Sequence, residues 1–552
     1  MIEELANASN RLRAALDHYV RICASVQEVC LQGAIPQNIT FEYVEQVERE
    51  LGLIESYDVK MQLAKTAIKV THNYAFTITS INRLPTEILT RIFHITRGLD
   101  PSSVYHIALV CSRWHTIALQ SPSLWTRIDF HPHFSKSFYP SLSRARTHVL
   151  RSGEMPIDIH VSAISKRPKE NYYDEPMGSL CKLAAPRMES LEMDLGGFNS
   201  HELSNSTHSA ITNLFLYCNP GLLTKISTFF EHFGFLTSDP AGPGAWAMKL
   251  GVESFHLEAI LASVTILHLT GLYPPWTSRA YHGLVELRLI TSPSGHDSIP
   301  ERQLINILQS CPRLRILHTS LQITQRMEEN LSISVSLPEL EVLQVDSEGG
   351  WGDNLGYLEL VRFITPGLQP LSFTMQCSGL QLIESSKAHT KAFLERSNVT
   401  QFHADHVPRP FDLLSFMPHL KAMILTNCAA LPGDQPSLDD TSNSQSTTSI
   451  VYPKLDICVV IQCSMSLDEF RLVIDHCQVR TLMIYSSKFY RGIDRHEIST
   501  ETALRELLEA CPDVKIANTI PRFVEHRGFS FDYTIPVSHR YLKSHCAQSH
   551  VI

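Results

Sequence analysis

Residues 81–125 read INRLPTEILTRIFHITRGLDPSSVYHIALVCSRWHTIALQSPSLW, and the organisation of the whole chain turns on this stretch. Pro85 follows Leu84 where a first helical residue would stand, a position at which its missing N–H does no harm. Asp100-Pro101 after Gly98 stops one helix and starts another. Ile88, Leu89, Ile92 and Phe93 recur at helical spacing in the first helix. In the second helix Ile107, Val110, Cys111, Trp114 and Ile117 or Ala118 do the same. About forty residues close only a marginal core by themselves, so part of this apolar surface is expected to belong to another chain.

Leu84-Pro85, Glu87-Ile88-Leu89, Ile92-Phe93, Leu109-Val110-Cys111, Arg113-Trp114 and Leu124-Trp125, in this order, resemble an F-box. The resemblance implies a three-helix motif that docks on the Skp-type adaptor of a cullin-RING ubiquitin ligase, while the rest of the chain presents a target protein. By motif position it assigns adaptor contact to Leu84, Pro85, Ile88, Ile92, Val110, Cys111 and Trp114, and internal packing to Phe93, Leu109, Ile117 and Trp125. The order of segments is also similar to that of the large F-box families of mushroom-forming fungi.

Over 552 residues, 19% are charged and 43% hydrophobic, an ordinary globular balance with ample apolar material for a core. The formal charge of −9, without a long Lys/Arg run, argues against nucleic acid or an anionic membrane as partner. Glu3, Glu4, Arg11 and Arg13 interrupt any signal-like apolar run at the start. No stretch approaches the roughly 18 apolar residues of a membrane span. A protein of the cytosol or nucleus is the expectation. The 13 cysteines are scattered, as reduced and buried thiols would be. Cys458 and Cys463 are too far apart for a C-x-x-C zinc knuckle.

Residues 1–72 suggest a helical hairpin. Leu12, Leu16, Tyr19, Cys23, Val26 and Cys30 step by four and three, Gly33 and Pro36 break the run, and Val44, Val47, Leu51 and Ile54 begin a second seam that continues through Met61 and Ile68. Such a pair can fold back and pack on the segment 80–126, or it can dimerise as a coiled coil.

From 127 to 552 the texture changes to short apolar strands alternating with apolar helices. LINILQSCPRLRILHTS (304–320), FDLLSFMPHLKAMILTNC (411–428) and LRELLEACPDVKIAN (504–518) share one phrase: a helix, Cys-Pro or Met-Pro, then a strand. Strand halves alone recur as MESLEMDL (188–195), ITNLFLYC (211–218), VTILHLTG (264–271), LVELRLIT (284–291), LEVLQVDS (340–347) and VRTLMIYS (479–486). Spacings of about 20 to 30 residues are those of leucine-rich repeats. The fold class expected is therefore α/β: a helical hairpin and three-helix F-box, then an irregular leucine-rich-repeat solenoid with parallel strands on the concave face and helices outside. Arg288, Glu286, Gln344, Arg315 and Lys421 should project away from its core. Polar insertions are expected near 165–176, 237–246 and 432–449, the last rich in Ser and Thr that could accept phosphate.

Catalytic signatures are sparse. The sequence holds neither a P-loop nor a dinucleotide fingerprint, and H-E-x-x-H and G-x-S-x-G are absent too. His403, Asp405 and His406, or His131 and His133, lack a further ligand in an identifiable geometry. Asp439-Asp440 sits in the polar insertion, without a rigid scaffold for acid–base work. Hence no cofactor, no metal and no catalysis are expected. The reading is a substrate-recognition subunit of an SCF-type ubiquitin ligase, binding adaptor, through it cullin, and an unidentified target. Its rivals are a non-degradative F-box scaffold and an enzyme with a site hidden between 347 and 411.

Overall fold

A computed structural model describes residues 2–32, 41–74, 80–100, 102–130, 138–162, 174–196, 205–238, 246–295, 297–325, 334–346, 359–377, 384–429, 452–492 and 496–517. The chain divides into two compact units, 1–120 and 121–552. His131, His133, the Asp439-Asp440 pair and the whole insertion 432–449 lie outside the described residues. The other two insertions do so only in part, since 174–176 begin the helix Asp174–Ala184 and Thr237 and Trp246 belong to strands. Among the described residues no helix is long and apolar enough to cross a membrane.

The first unit opens with two long helices, α1 (Ile2–Leu31) and α2 (Phe41–Tyr74). The Tyr19 hydroxyl donates to Glu50 Oε2 at 2.9 Å, as in a helical hairpin, and this bond pushes the phenol up to about 12. The two helices do not pack on the following segment as expected. Apart from half-buried Tyr19 and Glu50, every residue of them whose burial is described is exposed. Three shorter helices follow: α3 (Thr86–Leu99), α4 (Ser103–Val110) and α5 (Ser112–Gln120). The single second helix read from the sequence is broken at Cys111, which is fully extended at φ −159° and ψ 167°.

The second unit is a solenoid. Its 15-stranded sheet runs in chain order from Arg127–Phe130 to Asp513–Ile516, each strand lying beside the next along the path, with Trp246–Lys249 paired to one side. All its pairings are parallel, as helical returns between successive strands require.

One registered row crosses the sheet through Ile128, Ile159, Leu191, Ile226, Leu267, Leu287, Leu317, Leu343, Phe373, Phe402, Met423, Cys458 and Leu482. None of these is more than 1% exposed. They share one core with helix residues such as Leu214, Leu304, Phe393 and Leu507. At about 25 cal/mol per Å² of apolar surface, this continuous row supplies the main drive to stack the repeats.

Three readings of this region need correction. ITNLFLYC is not a strand but the end of the helix Asn205–Tyr217, whose buried Ala210, Ile211, Leu214 and Phe215 follow helical period. In the 411–428 copy a 3-10 helix, Pro410–Phe416, replaces the α-helix, entered through left-handed Arg409 and stopped before Pro418. Arg315 and Lys421 project from the core as expected, but each does so from the residue ahead of its strand and not from the strand's alternate face. Arg315 pairs with Glu341 at the solvent edge.

The cysteine of the repeated Cys-Pro phrase has a definite task. Cys311 Sγ donates to the carbonyl of Tyr281 at 2.9 Å and Cys511 Sγ to that of Val479 at 3.3 Å, each tying a corner to the previous repeat. Other side chains take the same role: Arg187 on Val149, Asn219 on Pro186, Ser263 on Leu223 and Asn398 on Leu368. Burial pushes the Cys181 and Cys218 thiols up to about 12 and Cys311 up to about 11, so all three stay protonated at neutral pH.

The sheet also holds a close approach. Between Phe229 and Gly234 the long strand Lys225–Thr237 slips register, and Gly271, at φ +73°, passes beneath it. A Cβ there would lie 2.1 Å from the Phe230 carbonyl oxygen. Gly271→Ala should therefore cost at least about 3 kcal/mol, read as a lowered urea midpoint.

On the sheet face away from the helices a second row runs Asp129, His160, Glu192, Ser227, His268, Arg288, His318, Gln344, Thr374 and His403, then turns apolar at Ile424, Val459 and Met483. Its histidines are partnered: His160 with Asp129 at 3.1 Å, His268 with Glu286 at 2.8 Å, His318 with Asp346, and His403 with Thr426 Oγ1 at 3.0 Å. Burial lowers His403 to about 4 despite nearby Asp405 and Asp346. The unfolded imidazole, near 6.5, takes its proton first. The contribution of this group is thus complete above about pH 6.5 and is lost as pH falls toward about 4. That loss amounts to at most about 3 kcal/mol, and His403→Gln should flatten the slope of unfolding free energy in this window.

Candidate functional site

The segment Ser80–Gln120 places its apolar residues on two surfaces. Leu89 and Phe93 of α3, Val104 and Ile107 of α4, and Ile117 and Ala118 of α5 are buried, at 6% exposure or less. Phe93 and Trp114 meet at 5.0 Å between ring centroids with planes 55° apart. The Arg113 guanidinium donates to the Leu84 carbonyl at 2.7 Å, fixing the approach to α3 against α5. These contacts hold three helices that are individually too short to persist in water.

The helix ends are satisfied locally. Leu89 N–H donates to the Pro85 carbonyl at 3.1 Å, closing the first turn of α3. At its other end Asp100 accepts from the N–H and the hydroxyl of Ser102, both at 2.9 Å, turning the chain into α4. The break at Cys111 is served in the same way. Trp114 N–H points to Cys111 Sγ at 3.5 Å, and a ring nitrogen of His115 lies 3.0 Å from the Ala108 carbonyl. His94 is drawn below its usual pKa by partial burial and by Arg97, so it stays neutral at pH 7.

The second surface is apolar and open. Pro85, Ile88, Ile92, Ile95 and Leu99 step by three and four along α3, a stripe about 20 Å long. Ile88 is 45%, Ile95 60% and Leu99 80% exposed. Val110 is 60% exposed at the end of α4.

Of the residues singled out from the sequence, Pro85, Ile88 and Val110 are exposed, and Leu84, Ile92, Cys111 and Trp114 are half-buried. Phe93, Ile117 and Trp125 are buried, Trp125 stacking near Arg151 and His148. Leu109 departs from its assignment to internal packing: 80% exposed, it lies on the outer face because α4 ends one residue later. Ile95 and Leu99 lengthen the exposed stripe beyond the residues singled out from the sequence, at the three-four spacing that starts at Ile88.

His406 pairs with Asp405 at 2.9 Å, while His403 faces Thr426, so the two histidines do not converge. Among the described residues no group of three or more His, Cys, Asp and Glu could hold a metal ion.

The family model described as F-box-like matches residues 81–131. No curated protein matches the chain in sequence. Among solved structures, a chain of the crystal structure of the Rad7 and Elc1 complex in yeast is similar at 12% identity and a TM-score of 0.28. The match covers 78% of this chain and 92% of that one.

The two surfaces of α3 can be separated by mutation. Ile88→Ala and Leu99→Ala should each change stability by no more than about 0.5 kcal/mol, whereas Leu89→Ala should cost about 2 to 5 kcal/mol. Urea unfolding of the three variants reads the difference. An exposed apolar stripe on a small three-helix core and the match over 81–131 lead to one conclusion: the chain carries an F-box-like segment, residues 81–131, ahead of a parallel-sheet repeat solenoid.

Proposed function

We propose that this chain is a substrate-recognition subunit of an SCF-type ubiquitin ligase. In this reading the F-box-like segment docks on a Skp-type adaptor and, through it, on cullin, while the solenoid holds a target protein. The observation that carries it is the open stripe of α3. Large aliphatic side chains left in water along about 20 Å of helix are stabilised by a partner with a matching apolar groove. Leu84, Pro85, Ile88, Ile92, Val110, Cys111 and Trp114 would supply the contact, extended by Ile95 and Leu99.

The mechanism is proximity. Holding a target beside a charged ubiquitin carrier raises the effective concentration of its lysines, and no acid, base or nucleophile of this chain is required. Support for the target-binding half comes from the sheet face opposite the shared core. Along it the half-buried His160, Glu192, His268, Arg288, His318 and Gln344 offer polar registration, while Ile424, Val459 and Ile461 at its far end are buried at 2% exposure or less and leave only Met483 and Tyr485 partly open.

Co-purification of the full chain with a Skp-type adaptor and cullin tests the proposal. Wild type should retain both, and the Leu84→Ala/Pro85→Ala and Ile88→Glu/Ile95→Glu variants should retain neither while keeping the wild-type urea midpoint of the solenoid. A folded stripe variant that binds adaptor as wild type does would sink this reading.

A further inference from the structure

We propose that the N-terminal hairpin is a self-association module, in which α1 and α2 of one copy pack against those of a second copy with the two α2 helices antiparallel. The inference does not depend on the adaptor reading.

Each helix has more apolar surface than its one neighbour in the hairpin can cover. Beside the seam of α1, Ala8, Ala15, Ile22 and Val29 recur one heptad apart and form a second strip, with Ile22 and Val29 about half exposed. A seam widened by one heptad position is the pattern of a bundle helix with two neighbours, not of a two-stranded coil. The second half of α2 goes further. At 100° per residue, Ile54, Met61 and Ile68 lie on one side, while Val59, Leu63 and Val70 lie on the opposite side. Val59 is 61% and Leu63 67% exposed. A helix apolar on two opposite sides is stable only when both are covered. In a single copy neither is, for no described residue of α1 or α2 is buried.

Charge identifies the occupant as a second copy. Between Glu42 and Asp58, α2 carries six carboxylates against one cation, Arg49; beyond Asp58 it carries Lys60, Lys65 and Lys69 and no carboxylate. An antiparallel copy of the same helix sets each acidic half beside a basic half, whereas a parallel copy would set like against like. Strips about 30 Å long on α1 and about 17 Å long on α2, each about 10 Å wide, give on the order of 500 Å² per copy, the size of a small, reversible interface.

Sedimentation equilibrium of the full chain at micromolar concentration, with variants checked for helix content by circular dichroism, tests the proposal. Wild type should run at twice the chain mass, and Val59→Glu/Leu63→Glu at the chain mass. Lys60→Glu/Lys65→Glu/Lys69→Glu, which alters only solvated side chains, should weaken the dimer at least about tenfold. Mixing it with Glu45→Lys/Glu48→Lys/Glu55→Lys should restore a mixed dimer. A monomeric wild type overturns the proposal and leaves the face to a different protein. A dimer indifferent to the apolar variant, or a lysine-reversed chain that pairs no better with the complementary variant than with itself, overturns it equally.

Discussion

A helix that ends and turns at once into a buried strand leaves backbone carbonyls stranded at the corner, and the solenoid depends on satisfying them. At six of the described corners a side chain of the next repeat donates to such a carbonyl: Arg187 on Val149, Asn219 on Pro186, Ser263 on Leu223, Cys311 on Tyr281, Asn398 on Leu368 and Cys511 on Val479. The donors differ in type but not in place. Where the bond is buried, as at Cys311 and Cys511, the carbonyl left without its partner would cost about 1 to 3 kcal/mol. These ties also explain why the repeats tolerate irregular length, for the donor has only to reach one atom.

With the core row sealed on one face and the corners satisfied, the other sheet face is free to vary. It does so in chain order, from paired imidazoles and carboxylates in the first ten strands of the row to aliphatic side chains near the end. The F-box-like segment divides its surfaces in the same way. Leu89 and Phe93 hold α3 in place, and the adjoining stripe from Pro85 to Leu99 faces water.

Features that depend on neighbours in sequence were legible beforehand. The alternation in VTILHLTG and LVELRLIT, the helix–Cys-Pro–strand phrase and the turn at Asp100 each set their own local geometry, and the structure has them where they were read. Features decided by another repeat were not. Ile211, Leu214 and Phe215 fit either period until the flanking strands exist to choose. The pairing of His268 with Glu286 and of His318 with Asp346 is set by register across the sheet, which local spacing does not encode. The break at Cys111 is set by side-chain capping, because the apolar spacing runs through it without interruption. In the candidate site the motif positions of the family resemblance stop at Ile92, whereas the same periodicity reaches the more exposed Ile95 and Leu99.

Because every strand along the path of the main sheet, with only the side strand Trp246–Lys249 left off it, lies beside the one before it in the chain, each repeat has its template in place when it leaves the ribosome. Loop closure between partners spans only one repeat, so the entropy of finding the next strand stays small and nearly constant along more than 380 residues of sheet. The order of synthesis is thus also an order of assembly. A chain halted part-way through translation would carry a shorter solenoid with one raw edge, a form that invites another strand and that quality control can recognise.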